Sequence, residues 1–371
     1  MKILLIGEYS NVHNTLAQGL RDIGHEVCVM SNGDFWKNYP SDIDVARTPG
    51  KWGGIQLMAK LWRLLPKMRD YDIVQLINPM FFELKAERLF FFYNYLRRHN
   101  RRVVLGAYGM DYYWVHTCTY DKPLRYSDFN FGDTVRTDQE AVKEQRDWMG
   151  TAKERLNKMI AADCDAIVSG LYEYHVCYQP AFPQKTYFIP YPIKHISPIT
   201  SISPISPITL FIGISKARSA YKGTDIMLKA AQDIEQKYPD RVKLIKADGL
   251  PFAEYERLMN NSDVLLDQLY GYSPAMNALL AMSKGIIVVG GGEPESYDIL
   301  QEQELRPVVN VAPTYDSVFS ELEQLALHPE RIPLLKQQSV DFVRRHHDYR
   351  KVAREYEQLY NSILLQRSPL Q

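Results

Sequence analysis

Short apolar runs alternate with segments of helical spacing along most of the chain, and this alternation constrains the fold more than any other feature. In the opening unit, the apolar run 2–6 precedes a segment of helical spacing over 11–24, and a second apolar run follows at 26–30. Strand–helix–strand units of this kind build parallel sheets that are covered by helices. The sequence therefore predicts the α/β class, with doubly wound, Rossmann-like sheets.

A proline-rich segment divides the alternating pattern into two parts. The tripeptide Ser-Pro-Ile occurs three times within 196–208, and proline at this density disfavours both helix and central strand. Strand–helix alternation resumes at 209, and a last apolar stripe of helical spacing begins near 349. We predict domains over 1–195 and 209–345, the linker 196–208, and a final helical segment over 346–371.

Charge and cysteine usage exclude several classes of protein. Lysine and arginine together number 44, as do aspartate and glutamate, so the formal net charge is zero and the basic excess of a general nucleic-acid binder is missing. The four cysteines show no metal-binding spacing, no export signal precedes the first apolar run, and no apolar run approaches the ~20 residues of a membrane span. We expect a cytoplasmic protein with reduced thiols.

The stretch 210–295 carries the strongest binding signal. The cations Lys216, Arg218 and Lys222 follow a short apolar run, and a glycine then leads into a helix. A glycine-rich turn at 290–292 follows a second apolar run. Cations, a helix N-terminus and glycines that allow close backbone approach are what a diphosphate requires. Solvated loop cations and ordinary turns remain the alternative reading of the same residues.

The carboxyl ends of two predicted strands place candidate residues in the first domain. Gly7, Tyr9 and His13 follow the first strand, and Asp111 and His116 follow the fourth. Ligands of open α/β sheets bind beyond these strand ends, so we expect the five residues to lie at the functional edge. An ordinary loop carboxylate and two surface histidines are the alternative. The first loop lacks the glycine pattern of a dinucleotide site.

Two further segments have unusual composition. Residues 51–69 carry five basic and no acidic residues on a helix with a separate apolar face. This pattern fits peripheral contact with an anionic membrane surface, or a surface helix that packs its apolar side on the sheet. The segment 112–138 is long, irregular and aromatic, which favours an acceptor-binding or lid role.

Three stretches together resemble a known family. The stretches are KILLIGEYS with LAQGLRDIGHEVCVMS at the start, RSAYKGTD at 218–225, and DVLLDQLYGYSPAMNALLAMSKGIIVVGGGEPESY at 263–297. They are similar to the GT-B glycosyltransferases of the retaining family four (group 1), the type found in bacterial capsule, O-antigen and glycolipid synthesis. The resemblance implies two Rossmann-like domains facing a cleft, the first for the acceptor and the second for the donor, and a last helix that crosses back onto the first domain.

The resemblance also implies the chemistry. A sugar would move from a nucleoside diphosphate donor, of the UDP or GDP type, to a carbohydrate or lipid-linked acceptor hydroxyl, with retention and without a metal or other cofactor. The implied catalytic set is Asp111, Arg218 and Lys222. The donor-binding set is Lys216, Gly271, Tyr272, Ser273, Pro274, Asn277, Gly291, Gly292 and Glu295. The acceptor side is Gly7, Tyr9, His13 and His116.

One departure from the family pattern leaves other functions open. The family usually carries two glutamates eight positions apart around this helix entry, and those positions here are Leu269 and Asn277. A nucleotide-sugar epimerase or phosphorylase of the same fold, and a catalytically silent nucleotide-binding homologue, are therefore the alternatives to transfer.

Overall fold

The protein, a computed structural model, is described over residues 1–197, 207–214 and 219–366. Most of the predicted linker 196–208, together with Lys216 and Arg218, lies outside these residues. The strands, in chain order, are β1 (Lys2–Ile6), β2 (Glu26–Ser31), β3 (Ile43–Asp44), β4 (Ile73–Leu76), β5 (Arg102–Ala107), β6 (Asn130–Phe131), β7 (Thr134–Val135), β8 (Ala166–Ser169), β9 (Thr186–Phe188), β10 (Ile208–Ile214), β11 (Val242–Asp248), β12 (Val264–Leu266), β13 (Ile287–Gly290) and β14 (Val309–Asn310).

Helices separate most of these strands. The helices, in chain order, are α1 (Val12–Asp22), α2 (Gly53–Leu64), α3 (Ala86–His99), α4 (Tyr112–His116), α5 (Gln139–Trp148), α6 (Ala152–Asp163), α7 (Tyr172–Tyr178), α8 (Ser219–Lys222), α9 (Thr224–Lys237), α10 (Phe252–Asn260), α11 (Met276–Met282), α12 (Pro294–Ile299), α13 (Tyr315–Leu327), α14 (Ile332–His346) and α15 (Tyr349–Leu365). None within the described ranges is both long and apolar enough to cross a bilayer.

Two parallel sheets carry the fold. The first sheet has seven strands in the order β3-β2-β1-β4-β5-β8-β9, and the second has five in the order β11-β10-β12-β13-β14. In each sheet the strand order reverses beside the first strand of the domain, which opens a crevice at the carboxyl ends of the strands. The predicted α/β class with two doubly wound domains is confirmed.

Residues 139–162 do not form one continuous helix. The chain forms α5 and α6 instead, and the break lies at Gly150, whose φ of 69° is left-handed. Thr151 then caps α6 by accepting a hydrogen bond from the backbone N–H of Lys153. A left-handed glycine followed by a threonine cap ends one helix and begins the next.

The last helix, α15, packs on the first domain. Its Tyr360 hydroxyl donates to Gln75 of β4 at 2.7 Å, and Tyr349 donates to Asp22 of α1 at 2.8 Å. Arg102 at the start of β5 donates to the carbonyl of Ile363 at 2.7 Å. Buried residues of α1, α14 and α15 belong to one hydrophobic cluster with residues from both sheets. The two domains therefore share part of their core.

Candidate functional site

A cleft of about 1060 Å³ lies between the two domains, where the strands of the sheets end. On the second-domain side, the carboxyl end of β10, the junction of α8 and α9, the loops after β11 and β12, and one face of α11 line it. On the first-domain side, the cleft is lined by the loop after β1, the loop after β2 and the crossing segment 192–195. A cleft at the switch points of two α/β sheets is where such folds place a ligand.

A small polar group forms part of the second-domain wall. Lys222 and Asp267 both line the cleft, and the Lys222 charge acts on the half-buried Asp267 carboxyl. Asn277 donates to Asp267 Oδ1 at 3.1 Å and accepts from the Tyr255 hydroxyl at 3.3 Å. Burial raises the pKa of Asp267, while Lys222 and Asn277 oppose that rise. This cluster brings one cation and several hydrogen-bonding groups to the cleft.

Of these residues, the sequence prediction contained Lys222 and Asn277 but missed Asp267 and Tyr255. Asp267 directly follows the buried strand β12, so the rule that ligands lie beyond strand ends was a signal that could have found it. Tyr255 lies within α10 and gave no comparable signal. Leu269, the other position at which the family carries a glutamate, is fully buried in the core of the second domain and does not line the cleft.

The first loop is built around Gly7 and Glu8. Gly7 has a φ of 84°, and a Cβ there would lie 2.2 Å from Ile77 Cγ2. The Glu8 carboxylate accepts hydrogen bonds from the backbone N–H groups of His13 and Asn14 at the start of α1. Burial raises the pKa of Glu8 to about 8, although these bonds lower it. The N-terminus of α1 already holds an internal carboxyl, so it is not an open anion site.

His13 and Tyr9 support this loop from the inside. His13 is fully buried, and its Nδ1 lies 2.9 Å from the Gly7 carbonyl, to which it donates. Burial lowers the pKa of His13 to about 3, so the ring is neutral at physiological pH. The Tyr9 ring packs beside Gly109, and burial raises the pKa of its hydroxyl. The cleft lining instead comes from the neighbouring Ser10 and Asn11.

Asp111 is the N-cap of α4 and His116 is the last residue of that helix, and neither lines the cleft. The Asp111 carboxylate caps the helix by accepting from the Trp114 N–H at 2.9 Å, and it accepts from the Tyr178 hydroxyl at 2.7 Å. Burial raises the pKa of Asp111 to about 6. His116 lies 3.9 Å from Asp121. Both oxygens of Asp111 therefore hold neighbouring elements together, and the structure does not bring this pair of residues to the cleft.

The predicted glycine turn packs tightly against the entry to α11. A Cβ on Gly291 would lie 1.8 Å from the Gly271 carbonyl oxygen, so the close approach of the two loops requires glycine. Gly292 donates its N–H to Asn310 Oδ1 at 2.9 Å. Pro274 precedes α11 in the same loop. These glycines serve loop-to-loop packing, and none of them lines the cleft.

Tyr272 and Glu295 belong instead to a contact between the domains, the clasp, formed by Arg125, Tyr126, Tyr272, Glu293 and Glu295. Arg125 of the first domain binds Glu293 at 2.6 Å and Glu295 at 2.5 Å. Its backbone N–H donates to the Tyr272 hydroxyl at 2.6 Å, and its guanidinium lies 5.0 Å from the ring centroid of Tyr272. The Tyr126 hydroxyl donates to Glu293. The aromatic segment 112–138 therefore joins the two domains.

Next to the clasp, a first-domain carboxyl faces the entry to α11. Glu173 on α7 is 4% exposed, and its Oε2 has no hydrogen-bond partner among the described residues. Burial raises the pKa of Glu173 to about 7, although hydrogen bonds from Ser273 and from the Tyr272 N–H lower it. The backbone donors predicted to hold a diphosphate thus face an internal carboxyl.

We expect Glu173→Gln to stabilise the protein above neutral pH and to leave it unchanged near pH 4. Because the folded-state pKa of Glu173 is raised above its unfolded value of 4.5 to about 7, the carboxyl reduces stability as the pH rises between these values, by about 3 kcal/mol in all. Glutamine keeps an acceptor for the turn and does not ionise. Thermal unfolding midpoints of both proteins from pH 4 to 8 measure this, and a variant–wild-type difference independent of pH would contradict it.

Among the described residues, no group of three or more histidine, cysteine, aspartate or glutamate side chains is placed to hold a metal ion. Lys216 and Arg218, the other predicted diphosphate cations, lie outside the described residues.

Comparison with known proteins gives structural neighbours only. No family model matches the chain, and no curated protein matches it. Sucrose-phosphate synthase from Thermosynechococcus elongatus aligns with a TM-score of 0.60 and 13% identity over 98% of this chain and 99% of that one. HepE from Anabaena, in complex with UDP and glucose, aligns with a TM-score of 0.58 and 13% identity over 98% and 100%.

A third neighbour has a different reaction. The UDP-GlcNAc 2-epimerase from Neisseria meningitidis, bound to UDP-GlcNAc, aligns with a TM-score of 0.53 and 11% identity over 98% of this chain and 100% of that one. The alignments extend over both domains of this chain. Transferases and an epimerase share this architecture, so the neighbours establish the fold. The chain has the GT-B fold, with two Rossmann-like domains facing a cleft.

Proposed function

We propose that the protein is a glycosyltransferase that moves a sugar from a nucleoside diphosphate donor to an acceptor hydroxyl. The carrying observation is the cleft between the carboxyl ends of the two sheets, lined by Lys222, Asp267 and Asn277 on one side and by Ser10 and Asn11 on the other. The second-domain wall supplies the cation for a diphosphate. The first-domain wall supplies small polar groups for an acceptor.

Each part of a nucleotide has a candidate partner in the second-domain wall. Lys222 lines the cleft and is the proposed partner of the diphosphate, and Lys216 and Arg218 precede it closely in the sequence. The loop 249–251 follows β11 and lines the cleft. Gly249 in this loop has a φ of 64°, and a Cβ added there would have no atom within 4 Å. Pro251 and Tyr255 in the lining offer flat apolar surfaces for a base.

The transfer step needs no strong protein base in this proposal. The acceptor oxygen forms a bond to the anomeric carbon, the bond from that carbon to the diphosphate oxygen breaks, and its electron pair leaves with the diphosphate. The acceptor proton passes to the departing phosphate, which is a course that retains configuration. Lys222 stabilises the charge that develops on the leaving group. The engagement of Asp111 and His13 in internal hydrogen bonds supports a mechanism without either as base.

The proposed donor carries a uridine or guanosine diphosphate, and the proposed acceptor is a carbohydrate or a lipid-linked sugar of bacterial surface polysaccharide or glycolipid synthesis. HepE, with UDP and glucose bound, supports the uridine type. Acceptor binding by the first domain, and peripheral membrane contact through residues 51–69, are parts of the same proposal.

A nucleotide screen tests the donor side directly. We expect one of UDP, GDP, ADP and CMP to raise the thermal unfolding midpoint, because a ligand at 100 times its Kd adds about 2.7 kcal/mol to the free energy of unfolding. UDP is the expected stabiliser. Differential scanning fluorimetry with all four nucleotides measures the shift. Absence of a shift with every nucleotide, at millimolar concentration, would contradict the donor proposal.

Two alternatives keep the fold and change the chemistry. An epimerase would convert a nucleotide sugar without an acceptor, as the Neisseria neighbour's name states for that protein. Product analysis of a donor incubated alone separates it from a transferase. A catalytically silent nucleotide-binding homologue is favoured by Leu269 and Asn277 at the family's glutamate positions. Calorimetric binding of a nucleotide without turnover across a donor and acceptor panel would support that alternative.

A further inference from the structure

Large apolar side chains are exposed together on one surface of the first domain, the apolar patch, which is formed by Trp52, Ile55, Trp62 and Phe91. Their exposed fractions are 71%, 61%, 51% and 43%. We propose that the apolar patch and the cations around it dock the protein on an anionic lipid surface. This surface is wider than the segment 51–69, because it includes Phe91 of α3.

Helix α2 has two apolar faces, and only one of them packs on the domain. Leu57 and Leu61 are 2% and 0% exposed and belong to the core. Trp52, Ile55 and Trp62 recur at helical spacing on a different face, and all three are exposed. A helix that only covers a sheet needs one apolar stripe. Packing on the core therefore does not explain the second, exposed stripe of α2. An interfacial helix needs such an outward stripe, rich in tryptophan.

The apolar patch is continuous across two helices. The ring of Trp62 on α2 stacks on Phe91 of α3 with centroids 4.6 Å apart. Phe91 is followed one turn later by Tyr95, at a centroid distance of 6.5 Å, and Tyr95 stacks on His99. The row of rings is held by packing within the domain, so insertion into an interface would order few additional side chains.

Cations surround the apolar patch with few acidic partners. Lys51, Arg63 and Lys67 are exposed, and in the described part of the chain none of them forms an ion pair. Lys60 pairs with Asp44 at 3.2 Å, and Arg69 lies 3.4 Å from Asp70. The chain as a whole has zero net charge, so this cationic surface is local. Anionic headgroups complement this cationic surface.

Charge also distinguishes a lipid surface from a second copy of the chain. A two-fold symmetric contact through this face would bring together two surfaces with the same local excess of cations, Lys51, Arg63 and Lys67. Such a contact is repulsive, whereas an anionic bilayer attracts both the cations and the aromatic rings. The docking itself is independent of the donor chemistry. Its purpose, bringing the cleft to a lipid-linked acceptor, rests on the proposed function.

Vesicle flotation tests the docking with the full chain. We expect binding to vesicles of phosphatidylcholine with phosphatidylglycerol, weak binding to phosphatidylcholine alone, and a loss of binding at high salt. The double variant Ile55→Gln with Trp62→Gln is expected to bind the anionic vesicles about tenfold more weakly or worse. Leu334→Gln on α14, where the side chain is 62% exposed, is the matched control and is expected to bind like the wild type.

A second variant and a second readout keep the test decisive. Arg63→Gln with Lys67→Gln is expected to weaken binding to anionic vesicles and to leave binding to neutral ones unchanged. The nucleotide shift of each variant should equal that of the wild type, so failure of the donor proposal is seen separately from failure of the docking. Equal vesicle binding by the wild type and both double variants would overturn the proposal that this surface docks on lipid. So would a dimer, seen by sedimentation and dissociated by Trp62→Gln, in a protein that does not bind vesicles.

Discussion

Replacing Lys222 with alanine is expected to lower kcat/KM for sugar transfer by about 10²–10³-fold. Lys222 lines the cleft beside Asp267, at the end of the short helix α8. A departing diphosphate gains negative charge, and a cation fixed next to it stabilises that charge more in the transition state than in the ground state. The loss should therefore appear mainly in kcat. The donor for the assay is the one that the nucleotide screen identifies.

The matched control for this change is Lys229→Ala. Lys229 lies on α9 in the same domain, is 64% exposed and pairs with Asp233 at 2.6 Å, and it does not line the cleft. It should retain wild-type transfer and nucleotide binding. Lys222→Ala should remain folded, because the half-buried Lys222 side chain lines the cleft and is not part of the hydrophobic core. Equal turnover by the two variants would remove Lys222 from the mechanism and, with it, the main support for the donor site.

The sequence predicted the location of the cleft better than its chemistry. Alternation of apolar runs and helical spacing determines two parallel sheets, and the carboxyl ends of parallel strands define one edge. Lys222 was predicted because it follows such a strand and precedes a helix, and Asn277 because it stands at a position where the resembling family carries a glutamate. The glycines at 290–292 also follow a strand of this kind, but Gly291 serves packing between loops. A Cβ added there would lie only 1.8 Å from the Gly271 carbonyl oxygen, so no larger residue fits. A glycine indicates that some group approaches the backbone closely, but the local sequence does not show whether that group is a ligand or another loop.

Contacts between distant parts of the chain were beyond prediction. Arg125 and Glu293 are 168 residues apart, and Glu173 meets the entry to α11 from the other domain. Nothing in the local pattern around Arg125 distinguishes an exposed loop cation from one that joins two domains. The same limit applies to Asp111, where strand-end position predicted chemistry, whereas burial and the Tyr178 hydroxyl give the carboxylate a structural role. Strand ends predict location, but burial and long-range partners decide what each side chain does.

Arg125→Ala is expected to weaken the contact between the domains by about 2–3 kcal/mol. The Arg125 side chain is 55% exposed, but it contacts Glu293, whose side chain is only 11% exposed, as well as Glu295. Without the guanidinium, the Tyr126 hydroxyl is the one first-domain partner that Glu293 keeps among the residues the structure describes. Leaving a nearly buried carboxylate without its cation costs more than the loss of an exposed ion pair. We expect a lower unfolding midpoint and faster hydrogen exchange in 124–136 and 290–299.

Nucleotide binding separates this effect from damage to the donor site. No clasp residue lines the cleft, so UDP affinity should be unchanged in Arg125→Ala, while transfer, which needs both domains in place, should fall. Arg344→Ala is the matched control, since Arg344 is 50% exposed and pairs with Asp341 at 2.8 Å within α14. Such an exposed pair contributes about 0.5 kcal/mol or less. A double-mutant cycle of Arg125→Ala with Glu295→Gln measures the coupling across the clasp. If Arg125→Ala matched Arg344→Ala in stability, exchange and turnover, the clasp would be an ordinary surface contact, and the aromatic segment 112–138 would need another role.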